Sequence, residues 1–445
     1  MALGIWDVIL LPVYLTLILV ISQFIQRRNL ERRPEYKYYL TGLTVRILAG
    51  ILFCLIYVFY YGGGDTLNYY EGGKTFQKLL LKHPDRYMTI FFSGPKEEYY
   101  NLFDFSTGYP PLWLYKEDYA LSVMKFVSLL LFFSFNNYLI ATMILVWLVY
   151  TGVWRLFLMF CEEYPDLKKE FSLAILFIPS VVFWSSGILK DPLALSATGW
   201  QTYSLWNIFI KKRNIKSNIF YYIISFFVIM KIKPYILYAL IPGTIIWIVF
   251  DRIKSIEGGF LRMLIAPIFL LIGLGIFSLF YSNVGTQLGK YSVDEALDRA
   301  AVTQQDLATN TIYGDNKFDI GAFEPTIPGI LSKAPQAIMA GVFRPFIWEA
   351  KSPFTFVSAL ENLFLLLFGL WIIFKVGLFK TLYYIQREPL VFFGILFTIV
   401  FAFIVGLTTA NFGALVRYKI PLIPLYLSSL FIIRHLYQKE KEKEE

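Results

Sequence analysis

The sequence predicts an all-α fold, a polytopic bundle of transmembrane helices. Three observations predict it. Hydrophobic residues make up 57% of the 445 and charged residues only 16%, where a soluble domain carries about 25% charge. The mean hydropathy is +0.56. The apolar residues fall into runs near the ~20 residues that cross a bilayer as a helix, and the basic residues gather in short loops between those runs. The net charge of +9 is therefore distributed as orientation charges are, which excludes a nucleic-acid partner. Aromatic residues, at 19%, suit a chain anchored at two bilayer interfaces.

About eleven runs qualify as spans. In order they cover residues 5–25, 39–61, 136–160, 171–188, 193–210, 219–230, 235–250, 263–281, 354–374, 390–407 and 420–433. The first lacks a basic flank before it and a small-residue cleavage site, and Arg27, Arg28, Arg32 and Arg33 follow it. It reads as an uncleaved span. Residues 219–230 are too few to cross fully, which implies local thinning or a groove open to lipid. The loops 26–38, 211–218, 251–262 and 375–388 and the end 434–445 are basic, and 162–170 is mixed. All six fall on one side if the N-terminus is outside and the C-terminus inside.

Two long stretches, 62–135 and 282–353, then lie outside as ordered loops with short helices. The apolar piece 120–134 reads as a helix along the outer interface, and 294–299 and 303–309 as short helices. Residues 1–436 form a single transmembrane domain. Residues 437–445 form a charged cytoplasmic tail, frayed from 439 onward. Cys54 and Cys161 lie in or beside apolar segments, with neither a disulfide framework nor metal-ligand spacing.

Charges at one rim of a bundle are where chemistry is expected, because charge is costly in hydrocarbon. Asp65 stands out, in Gly62-Gly63-Gly64-Asp65-Thr66-Leu67-Asn68-Tyr69. It is an acid on a permissive backbone just past a span. Tyr69 and Glu71 follow it. Lys190 and Asp191 mark the turn between the fourth and fifth spans, Lys231 and Lys233 cap the sixth, Arg344 and Glu349 precede the ninth, Glu361 lies inside the ninth, and Arg417 opens the eleventh. Cations capping a lipid groove can hold a phosphate, and a nearby carboxylate can take a proton from an acceptor.

The Asp65-Thr66-Leu67-Asn68-Tyr69 segment resembles the Asp-x-x-x-Tyr of the first outer loop of the GT-C superfamily of glycosyltransferases. Pro110-Pro111-Leu112 resembles their Pro-Pro-Leu. Arg417-Tyr418-Lys419-Ile420-Pro421-Leu422-Ile423-Pro424 is similar to their Arg-Tyr-x-x-Pro-x-x-Pro at a late span. Tyr109 stands where aminoarabinose and mannose transferases often carry a basic residue, and an extra span precedes the one leading to Asp65. The segment Ser186-Gly187-Ile188-Leu189-Lys190-Asp191 resembles polysaccharide polymerases of the EpsG and O-antigen type.

The resemblance implies an integral protein of a bacterial inner membrane with its active site on the extracytoplasmic side. The donor would be a polyprenyl-phosphate or polyprenyl-diphosphate sugar, and the acceptor a saccharide, lipid or protein. Asp65 would be the catalytic base or acceptor-orienting acid. Lys190, Arg344 and Arg417 would hold the donor phosphate beside the sixth span, with Tyr69, Lys231, Lys233, Glu349 and Glu361 also contacting substrate. One base predicts inversion, whereas retention needs a second acid, Asp104 or Glu71. The sequence points to no definite cofactor; a divalent cation is the candidate, since Asp65 and Asp104 are hard oxygen ligands. A polymerase acting on undecaprenyl-linked repeats is the alternative within this chemistry. A transporter of lipid-linked saccharide or ions is the competing class. It calls for inverted repeats with interrupted spans, and the sequence shows none.

Overall fold

The computed structural model of the chain describes residues 3–254, 316–321, 323, 324 and 326–445. Among the described residues regular structure is helical, with an isolated bridge between Lys317 and Asn411. The chain folds as two compact units. One holds Met1–Glu163 and Leu176–Pro234, the other Tyr164–Ile175 and Tyr235–Glu445.

Six helical stretches among the described residues are long and apolar enough to cross a membrane: Ile5–Leu30, Pro34–Tyr60, Tyr138–Glu163, Ile215–Ile232, Pro353–Val376 and Pro389–Thr408. A seventh arises if Phe412–Tyr418 and Leu422–Glu444, bent by 58°, count as one span. The protein is thus an integral-membrane helical bundle. The expected eleven do not all appear as spanning helices, for specific reasons. Residues 171–188 break into Lys168–Phe171, a π-helical turn Ser172–Leu176 and Pro179–Trp184. Pro179 lacks the N–H that a continuous helix needs and disfavours helix in the residue before it. Residues 193–210 are helical but bury Thr198, Gln201, Thr202, Ser204 and Asn207, so the stretch is too polar to count. The expected span 263–281 and the short helices at 294–299 and 303–309 lie outside the described residues.

The first unit contains α1 (Ile5–Leu30), α2 (Tyr39–Leu55), α3 (Asp65–Lys82), α4 (Asp118–Phe133), α5 (Tyr138–Glu163), α6 (Lys190–Leu205) and α7 (Ile215–Ile232). Only Asp7, Ile18 and Ser22 of α1 are buried, so its apolar surface faces outward, as a lipid-exposed helix requires. Asp7 accepts the Leu139 N–H at 3.0 Å. That satisfies one of the orphan donors at the start of α5 from a residue far away in sequence. Helix α4, expected to lie along an interface, buries Leu121, Met124, Val127 and Leu131 while Leu129, Phe132 and Phe133 stay exposed. It packs on α3, where a Cβ on Gly72 would meet Met124 and one on Gly73 would meet Val127.

The closest helix crossing in this unit is α5 on α6. A Cβ on Gly152 would come within 2.1 Å of the Ser196 carbonyl oxygen, and one on Gly199 within 2.2 Å of the Gly152 carbonyl oxygen. Small residues let backbones meet this way where no hydrophobic effect drives association. Helix α7 corrects an expectation. Residues 219–230 were too few to cross, but the helix runs for 18 residues, about 27 Å at 1.5 Å per residue. Polar residues at its ends, among them Lys216, Ser217 and Lys231, extend the helix beyond the apolar run.

The second unit contains α8 (Tyr235–Lys254), α9 (Ala334–Phe343), α10 (Pro353–Val376), α11 (Leu378–Arg387), α12 (Pro389–Thr408), α13 (Phe412–Tyr418) and α14 (Leu422–Glu444). The tail expected to fray from residue 439 is instead the last turns of α14. Lys439 pairs with Asp166 at 2.9 Å, Glu440 pairs with Lys380 at 3.1 Å, and Tyr384 donates to Glu440. Ion pairs with neighbouring elements offset the entropy of ordering that end.

Replacing Gly199 by Ala should destabilise the first unit by about 1–3 kcal/mol, because the methyl meets backbone that cannot rotate away. Gly63→Ala, where a Cβ has open space, should change stability by less than about 0.5 kcal/mol. Melting temperatures in detergent check the pair; equal shifts would refute the close-crossing account.

Candidate functional site

In the first unit three helix ends meet. Helices α4 and α6 start there and α7 ends there. Each is pinned by a lysine–acid pair. Lys233, just past α7, lies 2.5 Å from Asp191 in the first turn of α6, and the two side chains are 5% and 0% exposed. Lys190, the first residue of α6, binds Glu117, which precedes α4. Lys231, in the last turn of α7, lies 3.4 Å from Asp118, the first residue of α4. The signs follow the helix dipoles: Asp118 and Asp191 stand at helix starts and Lys231 at a helix end.

Beside these pairs lies a cavity of about 450 Å³, within the size range of small-molecule sites. Its walls are apolar, with Phe92, Phe126, Leu129, Leu193, Phe227 and Val228 among them. Its polar lining includes Asp118, Ser122, Lys125 and Lys231. Residues 118, 122, 125 and 129 fall at helical spacing on one face of α4. Lys125 donates to the Ser93 carbonyl at 2.7 Å. Burial pushes the Lys125 ammonium down to about 8; Asp118 opposes that shift and Lys231 reinforces it. An apolar cavity with two lysines at its polar part fits an anionic head carried on a hydrocarbon.

The structure brings some of the expected residues to this place and puts others elsewhere. Lys231 lines the cavity, while Lys190 and Lys233 stand in the adjoining ion pairs. Asp65 is half-buried as the first residue of α3. The sharp turn before it uses positive φ at Gly62 (65°) and Gly64 (114°), a conformation open to glycine. Thr66 meets the Tyr138 hydroxyl at 2.8 Å, and Tyr70 donates to the Asn136 carbonyl at 2.7 Å. These contacts hold the start of α3 against the residues that follow α4. Asp118 is at the other end of α4, about 22 Å along that helix. Asp65 therefore sits at the end of the α3–α4 pair opposite Asp118.

Tyr69 is buried, and Glu71 pairs with Lys74 at 3.1 Å on the surface of α3. Asp104, the other candidate second acid, organises its own loop. It accepts the backbone N–H groups of Ser106 and Thr107 and pairs with Arg86 at 3.2 Å. Hydrogen bonding from Ser106, the main cause, holds its carboxyl below the ordinary range. Glu71 and Asp104 are thus engaged locally.

Arg344, Glu349, Glu361 and Arg417 belong to the second unit. Arg344 and Glu349 form an ion pair in which two guanidinium nitrogens reach the carboxylate, and the Arg344 guanidinium lies 4.8 Å from the Phe318 ring centre. Its charge is matched within the fold. Glu361 is half-buried in α10 and acts electrostatically on Lys419. Lys419 is buried where α13 gives way to α14, and donates to the carbonyls of Val342 and Arg344 and to Asn362. Arg417 stands in the last turn of α13, just before that bend. Among the described residues no group of three or more His, Cys, Asp or Glu side chains is placed to hold a metal ion.

Sequence reasoning missed Lys125, Asp118 and Glu117. A signal was there: Lys125 is a charge inside the apolar run 120–134, and a charge in such a run is a functional candidate by default. Compared with known proteins, the chain matches no family model, no curated protein and no solved structure.

The lowered Lys125 value predicts a pH dependence. Between about pH 8 and the ordinary 10.5 the unfolded chain holds a proton that the folded chain lacks, so the cost of burying this charge is present below pH 8 and relieved above it. Anion binding runs the other way and should weaken as pH rises through about 8. Lys125→Arg, which stays charged, should flatten that fall. Titration with a polyprenyl monophosphate from pH 6.5 to 9.5 checks it, and a fall that survives in the arginine variant would reject Lys125 as its source.

Proposed function

We propose that this protein transfers a sugar from a polyprenyl-phosphate or polyprenyl-diphosphate donor to a lipid, glycan or protein acceptor. The observation that carries the reading is the cavity beside α7, with apolar walls for a tail and Lys125 and Lys231 for a phosphate. The outward face of α7, with Phe220, Ile223 and Phe227 about 60% exposed, supports entry from the bilayer.

In this reading the two ammonium groups neutralise charge as it grows on the leaving phosphate, a preorganised electrostatic contribution. A carboxylate takes or orients the acceptor proton. The resemblance assigns that role to Asp65; Asp118 is the acid beside the cavity. The topology in this proposal has the N-terminus outside and the C-terminus inside, in a bacterial inner membrane with the site on the extracytoplasmic side. The orientation rests on the basic loops.

The test uses purified protein in nanodiscs with a panel of polyprenyl-phosphate sugars. Transfer should raise free polyprenyl phosphate. Lys125→Gln combined with Lys231→Gln should raise the donor KM about tenfold or more. Asp65→Asn or Asp118→Asn should lower kcat by about 10²–10⁴, and which of them does so identifies the base. If both asparagine variants turn over like the parent protein, the base assignment is wrong; if no donor in the panel is cleaved, the transferase reading is rejected.

A further inference from the structure

The cavity beside Lys231 does not end the apolar path along α7. A second cavity of about 350 Å³ adjoins it and shares Phe126, Leu193 and Val228 with it. Those three residues form the neck between the two. The lining on α7 then steps from Lys231 through Val228 and Ile224 to Tyr221, ten residues and about 15 Å of helix. The charged lining lies at the Lys231 end.

The far end is built differently. Trp200 of α6 and Tyr221 of α7 stack with ring centres 4.4 Å apart at 25°. The Trp200 indole N–H donates to the Thr151 hydroxyl at 3.0 Å. The Arg155 guanidinium lies 4.9 Å from the Trp200 ring and 5.3 Å from the Tyr203 ring. Trp200 is therefore held by a stack, a hydrogen bond and a cation–π contact, each of which fixes its ring. Beyond it the surroundings change from aliphatic side chains to a guanidinium, which a hydrocarbon does not solvate.

We propose that Trp200 and Tyr221 form the end wall of a hydrocarbon groove and set the length of lipid tail that the protein binds. This rests on the donor reading above and adds the residues that determine tail-length specificity. The occupant is an anionic polyisoprenoid. Its phosphate lies at Lys125 and Lys231, and its first isoprene units run through the neck to the aromatic pair. Carbons past the wall leave the groove for the bilayer or the micelle and add no protein contact. Tail length thus contributes to affinity only up to the wall.

The experiment measures affinity in detergent for polyprenyl monophosphates of increasing length, with the full chain as parent and as Trp200→Ala, Tyr221→Ala and Trp200→Phe. For the parent, affinity should climb with each added unit and then level off. Both alanine variants should move the plateau to longer lipids, with about a tenfold gain for a lipid just past the parent's limit, as carbons that leave the micelle gain packing contacts with the groove wall. Trp200→Phe, which keeps a stacking ring, should keep the parent's plateau. Tyr221 is 39% exposed, so its truncation keeps the test usable if the Trp200→Ala protein does not fold. A plateau unchanged in the Tyr221→Ala protein overturns the end-wall assignment and leaves the donor reading intact. Failure of the parent to bind any of these lipids overturns the donor reading itself.

Discussion

Lys233 and Asp191 form a buried ion pair, and the geometry of the candidate site depends on it. Both charges are almost wholly removed from water. Taking away one partner of such a pair costs about 3–5 kcal/mol, because a buried charge loses a counter-charge. The pair joins the end of α7 to the start of α6. Lys231 stands two residues before Lys233, and Lys190 one residue before Asp191. Both then reach the start of α4, at Asp118 and Glu117. One buried contact thereby sets where two half-exposed ones fall.

The cavity follows from how the same three helices diverge. Helices α6 and α7 are linked by polar contacts as well, such as the bond from Ser225 to Gln201 at 2.6 Å. In a bundle surrounded by lipid, polar side chains turn inward and find partners there. The outward face of α7 has no such need and stays aliphatic and aromatic. A helix that is polar toward its neighbours and apolar toward its surroundings suits the wall of a lipid groove. The α5–α6 crossing, where glycine backbones touch, supplies a rigid floor of the opposite kind.

How much was legible in the sequence differs from residue to residue. Helices α1, α2, α5, α10 and α12 were readable because long apolar runs have few alternatives in a bilayer. The break at Pro179 was readable in principle, since proline acts locally, but the run around it is apolar enough to hide it. The length of α7 was underestimated because an apolar count stops at the first polar residue while a helix does not. Lys231 was read from the sequence as capping the sixth span, and in the structure it stands in the lining of a cavity. Asp65 was singled out for its local context, and that context, the glycine turn before α3, is real. Its distance from Asp118 depends on α3 and α4 packing with Asp65 toward the end of α4, which no local feature announces. The contact of Asp104 with Arg86 was not legible because the two lie 18 residues apart, whereas the pairing of Glu71 with Lys74 at i,i+3 on one helix was.

Composition and periodicity alone determined that this is a helical membrane protein, because hydrocarbon admits only backbones that satisfy their own hydrogen bonds. They also determined where most helices lie and that lysines crowd the ends of several. The tertiary structure alone decided which acid each lysine meets, that Lys125 turns into a cavity, and that Trp200 stacks on Tyr221. Helical spacing tells which residues share a face of their own helix. It carries no information about which other helix that face will meet, and the site is made of those meetings.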